Sequence, residues 1–144
     1  MYNRYLITGA TGFLGRAIVE KLVRRKVRVD ALVLRNDPYA ALLPGEVHTV
    51  TGDVCEDDSL ERFFAGADDK TCVIHCAGII SVASRSGSKL YQINIGGTCK
   101  VVRQCLEHHI GKMIYVSSVH AIPEKPKNCV ITEDCEFSPG LVDG

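Results

Sequence analysis

The chain has 144 residues, enough for one domain with a real hydrophobic core. Hydrophobic residues make up 46% of it, which excludes a disordered chain. With 17 basic and 17 acidic residues, no charge excess points to nucleic acid or an anionic membrane as the main partner.

Residues 4–8 form the first predicted strand, apolar enough to be covered on both faces. They lead into Thr8-Gly9-Ala10-Thr11-Gly12-Phe13-Leu14-Gly15, and a segment of helical period (Leu14, Ala17, Ile18, Leu22) follows to about residue 25. The spacing G-x-x-G-x-x-G therefore sits at a strand-to-helix junction, a context that makes three glycines informative. Gly9 permits a sharp turn, Gly12 lets the backbone come close to a pyrophosphate, and Gly15 lets the helix pack closely. The helix that starts near Phe13 and Leu14 would aim its free N–H groups and positive dipole end at phosphates, with hydroxyl contacts from Thr8 and Thr11. Lys21, Arg24, Arg25 and Lys26 suit the helix C-terminus.

Residues 27–34 alternate and are rich in valine, the pattern of a second strand ending in Arg35-Asn36-Asp37-Pro38. A carboxylate just past this strand would accept from a ribose 2′-hydroxyl, whereas an arginine would pair with a 2′-phosphate. Arg35 at that place favours NADP(H) over NAD(H); Asp37 argues the other way, and Asp30 lies too early, inside the strand. The plainer reading of Arg35 is a solvated charge at a strand end. A short helical turn is predicted over 39–43, stopped by Pro44-Gly45, and a third strand over 47–51. Asp53, in Gly52-Asp53-Val54, is either an acceptor for the adenine amino group or a turn residue. Asp57-Asp58-Ser59 caps a predicted short helix over 60–64.

Residues 71–75 form a fourth strand that continues into Cys76-Ala77-Gly78, small residues across which a cofactor could lie. His75, at the end of a buried strand, reads as a packed, hydrogen-bonded histidine rather than an acid or base. Residues 81–88 read as a loop near the substrate. The longest predicted helix runs over 89–108, with Leu90, Ile93, Gly97, Val101 and Cys105 as its apolar stripe and Asn94 beside it. A buried Asn94 must be hydrogen-bonded, which gives it a structural or water-holding role. Gly96-Gly97 inside a helix implies close packing, and Gly111 is expected as the residue past the helix end. His108-His109 reads as a solvated helix end rather than a metal pair. Residues 112–117 form the fifth strand, and the hydroxyls of Ser117 and Ser118 follow at its C-terminal edge. Residues 119–144, with Pro123, Pro126 and Pro139, read as a long loop.

The 7 cysteines show no C-x-x-C and no ligand spacing, so reduced thiols are expected and no metal site. No apolar run approaches the about 20 residues of a membrane span. Met1-Tyr2-Asn3-Arg4 leads straight into a strand without a signal-peptide pattern, so the expectation is a cytoplasmic protein.

Strands alternating with helices predict an α/β domain with a parallel sheet. The five stretches Thr8–Gly15, Gly52–Val54, His75–Gly78, Asn94-Ile95-Gly96-Gly97-Thr98 and Tyr115–Ser118 together resemble the extended or atypical short-chain dehydrogenase/reductases. Within that superfamily the chain is similar to the branch of dihydroflavonol reductases, 3β-hydroxysteroid dehydrogenases and nucleotide-sugar epimerases. The resemblance implies a Rossmann-type doubly wound sheet of strand order 3-2-1-4-5 in one domain, 1–144. It implies that Gly9, Thr11, Gly12, Phe13, Leu14 and Gly15 hold the pyrophosphate, and that Asp53 and Val54 flank the adenine. Cys76, Ala77 and Gly78 would lie along the nicotinamide half, and Asn94 would support the site. Ser118, with Ser117 the second choice, would hydrogen-bond a substrate carbonyl or hydroxyl.

The family's proton donor is a Tyr helped by a Lys four residues later. Here the tyrosines stand at 2, 5, 39, 91 and 115, and four residues on from each stand Leu6, Gly9, Leu43, Ile95 and Val119. The expectation is therefore an incomplete domain, cut before the catalytic helix, that holds the cofactor without useful turnover. The apolar fifth strand would be left as an edge, which favours a homo-oligomer. The competing readings are a fragment of an NAD-dependent nucleotide-sugar epimerase or dehydratase, and a dinucleotide-sensing module that needs no Tyr/Lys pair.

Overall fold

The computed structural model of the protein describes residues 2–80, 87–118, 122 and 128–135. Five strands, β1 (Arg4–Thr8), β2 (Arg28–Val33), β3 (His48–Thr51), β4 (Thr71–His75) and β5 (Lys112–Tyr115), form one sheet in the order β3-β2-β1-β4-β5. All four pairings are parallel, and the register aligns Leu32, Thr8, His75 and Tyr115 along one edge of the sheet. This is the Rossmann-type arrangement expected from the sequence. Its strand order reverses between β1 and β4, which opens a crevice at the C-terminal edge.

Alternation along the strands builds two cores, one on each face. Ile7, Val29, Ala31, Val33, Cys72 and Ile74 pack on one face with Val19 and Leu22 of α1 (Phe13–Arg24). Leu6, Leu32 and Val73 pack on the other with Leu60, Phe63 and Phe64 of α2 (Asp57–Phe64). Val101 and Cys105 of α4 (Thr98–Glu107) complete that second core. The edge strand β5 stays largely exposed, with Ile114 and Tyr115 open to solvent.

Three local details differ from the sequence reading. Helix α2 begins at Asp57, with Glu56 in the capping position, so Asp57 and Asp58 lie in the first turn, where the dipole favours acids. The long helix predicted over 89–108 is α3 (Ser88–Leu90), a π-helical segment Tyr91–Gly97, and then α4. Gly97 lies so close to Val54 that a Cβ there would come 2.7 Å from Cγ2, which gives the expected close packing. The helix ends without Gly111: His109 takes the left-handed conformation at φ 50°. The Ile110 N–H donates to Cys105 O at 2.9 Å and the His109 N–H to Leu106 O at 3.2 Å, the two bonds of a Schellman motif. Residues 81–86 of the predicted 81–88 loop and most of the 119–144 tail fall outside the described residues, and Ser88 begins α3.

Asp30, inside β2, is fully buried. One carboxylate oxygen lies 2.6 Å from Arg4 Nε and 3.2 Å from Arg28 Nε, and the other lies 2.8 Å from His48 Nδ1. Arg4 also donates to Ala65 O at 2.9 Å, which ties the end of α2 to the start of β1. Burial alone pushes the Asp30 carboxyl up, but the hydrogen bonds and charges of Arg4 and Arg28 outweigh it and hold the pKa below 3.8. A carboxyl with a lowered folded-state pKa adds stability above its unfolded pKa and loses it as pH falls through the folded value. Removing one partner of a buried pair costs about 3 kcal/mol, so Arg4→Met should lower urea stability by that order at neutral pH. The wild-type advantage should shrink below about pH 4, toward the folded-state pKa, because Asp30 protonates there.

Candidate functional site

The site lies where β1 ends. Gly9 turns the chain with φ 67°, and its backbone presses on β4: a Cβ there would come 2.6 Å from Cys76 C. From the other side, a Cβ on Gly15 would come 2.1 Å from Gly9 O, so the first turn of α1 rests directly on this bend. Gly12 differs, since a Cβ there meets only Gly9 O, at 3.3 Å. Gly12 occupies the cap position of α1 with no side-chain cap and no acidic residue in the first turn. The first main-chain bond back to Gly12 comes from Arg16, so the N–H groups of Phe13, Leu14 and Gly15 have no acceptor within the helix. An uncapped helix start with donors and a positive dipole end is suited to an anion.

This bend opens into a cleft of about 260 Å³. Gly9, Thr11 and Gly12 form its floor, Cys76, Ala77, Gly78 and Ile79 one wall, and Leu32, Leu34, Gly52, Asp53 and Val54 another. Asp37 and Ile93 complete the lining. Asp37 reaches the cleft because its carboxylate accepts from Thr11 Oγ1 at 2.7 Å, while its other oxygen accepts the Tyr39 N–H at 2.9 Å. Asp53, also in the lining, accepts from the Cys55 N–H at 2.9 Å, a turn role. Arg35 lies outside this lining, in an adjoining hollow with Arg62 that borders Leu34, Gly52 and Asp53.

Behind the Cys76–Ile79 wall runs a set of side-chain bonds. Thr8 Oγ1 lies 2.6 Å from His75 Nδ1 and accepts the Ala77 N–H at 3.2 Å. His75 Nε2 lies 2.9 Å from Thr98 Oγ1, which donates to Asn94 O at 2.7 Å. The Asn94 side chain then clasps Ile79 twice, accepting its N–H and donating to its O, both at 2.8 Å. His75 is fully buried and stacked on Tyr115, and burial pulls its pKa down to about 4, so the ring is neutral near pH 7. Burial pushes the Cys76 thiol up, away from a reactive thiolate.

The sequence-derived residues therefore divide. Gly9, Thr11, Gly12, Asp53, Val54, Cys76, Ala77 and Gly78 line the cleft together. Phe13, Leu14 and Gly15 lie on the first turn of α1 outside that lining, with Phe13 almost fully exposed and Gly15 buried against Gly9. Asn94 is half-buried and acts behind the wall, where its side chain holds the main chain of Ile79. Ser117 and Ser118 are exposed just past β5, on the same edge of the sheet but outside the cleft lining. Ile79 and Ile93 were missed: the Asn94 side chain holds Ile79 at the wall, and Ile93 reads in the sequence only as part of a helix stripe. Leu32 and Leu34 carried a signal, because they continue the alternation of β2 on its α2 side. Among the described residues no group of three or more His, Cys, Asp or Glu is placed to hold a metal, and no helix is long and apolar enough to cross a membrane.

A profile described as the 3-beta hydroxysteroid dehydrogenase/isomerase family matches residues 6–138. The human 3 beta-hydroxysteroid dehydrogenase type 7 is 30% identical over 130 residues, covering 85% of this chain and 34% of that protein. A 3 beta-hydroxysteroid dehydrogenase/Delta 5-->4-isomerase of Monkeypox virus is 29% identical, covering 96% and 41%. Among solved structures, the UDP-glucose 4-epimerase of Thermus thermophilus in complex with NAD superposes with a TM-score of 0.83 at 25% identity, covering 96% of this chain and 45% of that one. The chain thus spans about a third to two fifths of the length of these curated relatives.

The three glycines should separate by experiment. Gly15→Ala forces a Cβ into Gly9 O and should cost about 3 kcal/mol in urea denaturation. Gly12→Ala, at an allowed φ of −71°, should cost about 1 kcal/mol or less.

Proposed function

The chain belongs to the 3-beta hydroxysteroid dehydrogenase/isomerase family, within the extended short-chain dehydrogenase/reductases, and on that premise we propose that it is the nicotinamide-dinucleotide-binding part of an oxidoreductase acting on a carbonyl or hydroxyl group. The single observation that carries this reading is the uncapped start of α1, set against the Gly9 bend and facing a cleft at the reversal of strand order. The residues present fit such a cofactor. Main-chain N–H groups at Phe13 and Leu14 would hold the pyrophosphate, and the open side of Gly12 admits it. Asp53 and Val54 would flank the adenine, and Cys76, Ala77 and Gly78 would lie along the nicotinamide half. When bound, the nicotinamide ring supplies or accepts a hydride.

Ser118, with Ser117 as second choice, would orient the substrate oxygen from the end of β5. General acid–base catalysis needs a proton donor near working pH within hydrogen-bond reach, and no tyrosine of the 144 residues has a lysine four positions on. These residues alone should therefore bind the dinucleotide without turnover. The exposed β5 edge and the apolar side chains Tyr91, Ile95, Val102 and Leu106 support self-association of the chain. Light scattering should show a dimer or larger species at high concentration, and a monodisperse monomer would contradict this.

We favour NADP(H), because Arg35 and Arg62 line one hollow at the adenine end of the cleft, where a 2′-phosphate would lie. A second reading, NAD(H) as in an epimerase or dehydratase, is favoured by Asp37, which lines the cleft itself. Titration separates them. NADPH should bind more tightly than NADH, and Arg35→Ala should weaken NADPH about tenfold while leaving NADH within about twofold. Equal binding of the two, with loss of NADH affinity in Asp37→Ala, would establish the second reading instead.

A further inference from the structure

His75 lies one layer behind the cleft, and its surroundings fix which of its nitrogens carries the proton. The Thr98 hydroxyl has one hydrogen, and it is used on Asn94 O. Toward His75 Nε2 that oxygen can only accept, so Nε2 must be the protonated nitrogen. In a neutral ring Nδ1 then accepts, and its neighbour is the Thr8 hydroxyl. Thr8 Oγ1, having given its hydrogen to Nδ1, is left to accept the Ala77 N–H. Every donor in the set meets one acceptor, from Ala77 through Thr8, His75 and Thr98 to Asn94, whose side chain clasps both main-chain groups of Ile79. The opposite tautomer would set an unprotonated Nε2 against an oxygen whose hydrogen is already committed.

Both ends of this set are the same stretch of wall, Ala77–Ile79. We infer that His75 is a positioning residue: its neutral Nε2–H form locks the Thr8 and Thr98 hydroxyls in one orientation and, through them, fixes the main chain of Ala77–Ile79 that would face the nicotinamide half of a bound dinucleotide. The inference rests on the dinucleotide reading above for the identity of the ligand, but the tautomer follows from the chain's own hydrogen bonds. The set reaches the wall and leaves the first turn of α1 untouched, so it acts on one end of the ligand. Burial that keeps the ring neutral and stacking on Tyr115 support the arrangement.

Two measurements on the full chain test this. Imidazole nitrogen shifts of 15N-labelled protein at pH 7 should show a protonated Nε2 and an unprotonated Nδ1 for His75; an Nδ1–H or doubly protonated ring would overturn the proposal. His75→Phe keeps the ring and its stacking but removes both hydrogen bonds. It should weaken NADPH about fivefold and leave 2′-phospho-ADP-ribose, which lacks the nicotinamide, within about twofold. Equal losses for both ligands would mean a general structural role, and no loss for either would mean no role; each overturns the inference. Thr98→Val, nearly isosteric, should reproduce the selective loss if His75→Phe does not fold. A wild-type chain that binds neither ligand would refute the dinucleotide reading and the nicotinamide-positioning claim with it, leaving the nitrogen shifts to decide the tautomer alone.

Discussion

At Gly9 three pieces of backbone meet with no room for a methyl group. The bend leaves β1 in a left-handed conformation, rests against Cys76 at the end of β4, and carries the first turn of α1 at Gly15 on its carbonyl. Both contacts are backbone to side-chain-free backbone, so neither can relax by a rotamer change. The bend therefore sets the distance between α1 and the β4 end together, and the cleft exists because those two are held that close. The rest of the sheet serves this point: two apolar faces clamp β1 in the middle of five strands, and the order reversal beside it leaves the crevice uncovered.

Polar order follows the same geometry. At the far edge of the sheet Asp30 is satisfied by Arg4, Arg28 and His48, which anchors β1, β2 and β3 where no ligand is expected. Behind the Cys76–Ile79 wall the polar groups are uncharged and directional: Thr8, neutral His75, Thr98 and Asn94. A buried charge there would have to be compensated, whereas neutral hydrogen bonds fix the wall without adding to its field. The uncapped helix start turns its positive dipole end to the floor of the cleft.

Much of this architecture was legible in the residues. The alternation of apolar strands and amphipathic helices predicts the parallel sheet, the family resemblance implies its order, and the glycine spacing at a strand-to-helix junction predicts the floor of the cleft. What escaped the sequence depended on contacts between distant residues. A 3.6-residue period runs smoothly through 89–108, yet Asn94 clasping Ile79 and Gly97 seated on Val54 accompany a π-helical stretch there. Gly111 looked like the residue past the helix end because glycine is the usual left-handed residue, but His109 takes that conformation two positions earlier. Arg35 and Asp37 stand two apart and compete on paper. Only the hydrogen bond from Thr11 shows that the carboxylate turns toward the cleft while the guanidinium lies in the hollow beside it.

The central claim is that the bend at Gly9 and the start of α1 receive the phosphates of a nicotinamide dinucleotide. Amide shift mapping of the 15N-labelled chain titrated with NADPH reads it directly. The account predicts saturable shifts concentrated at residues 11–15 and 76–79, with the Arg4–Asp30 end of the sheet unmoved. Shifts scattered over the surface, or none at residues 11–15 up to millimolar ligand, would contradict it.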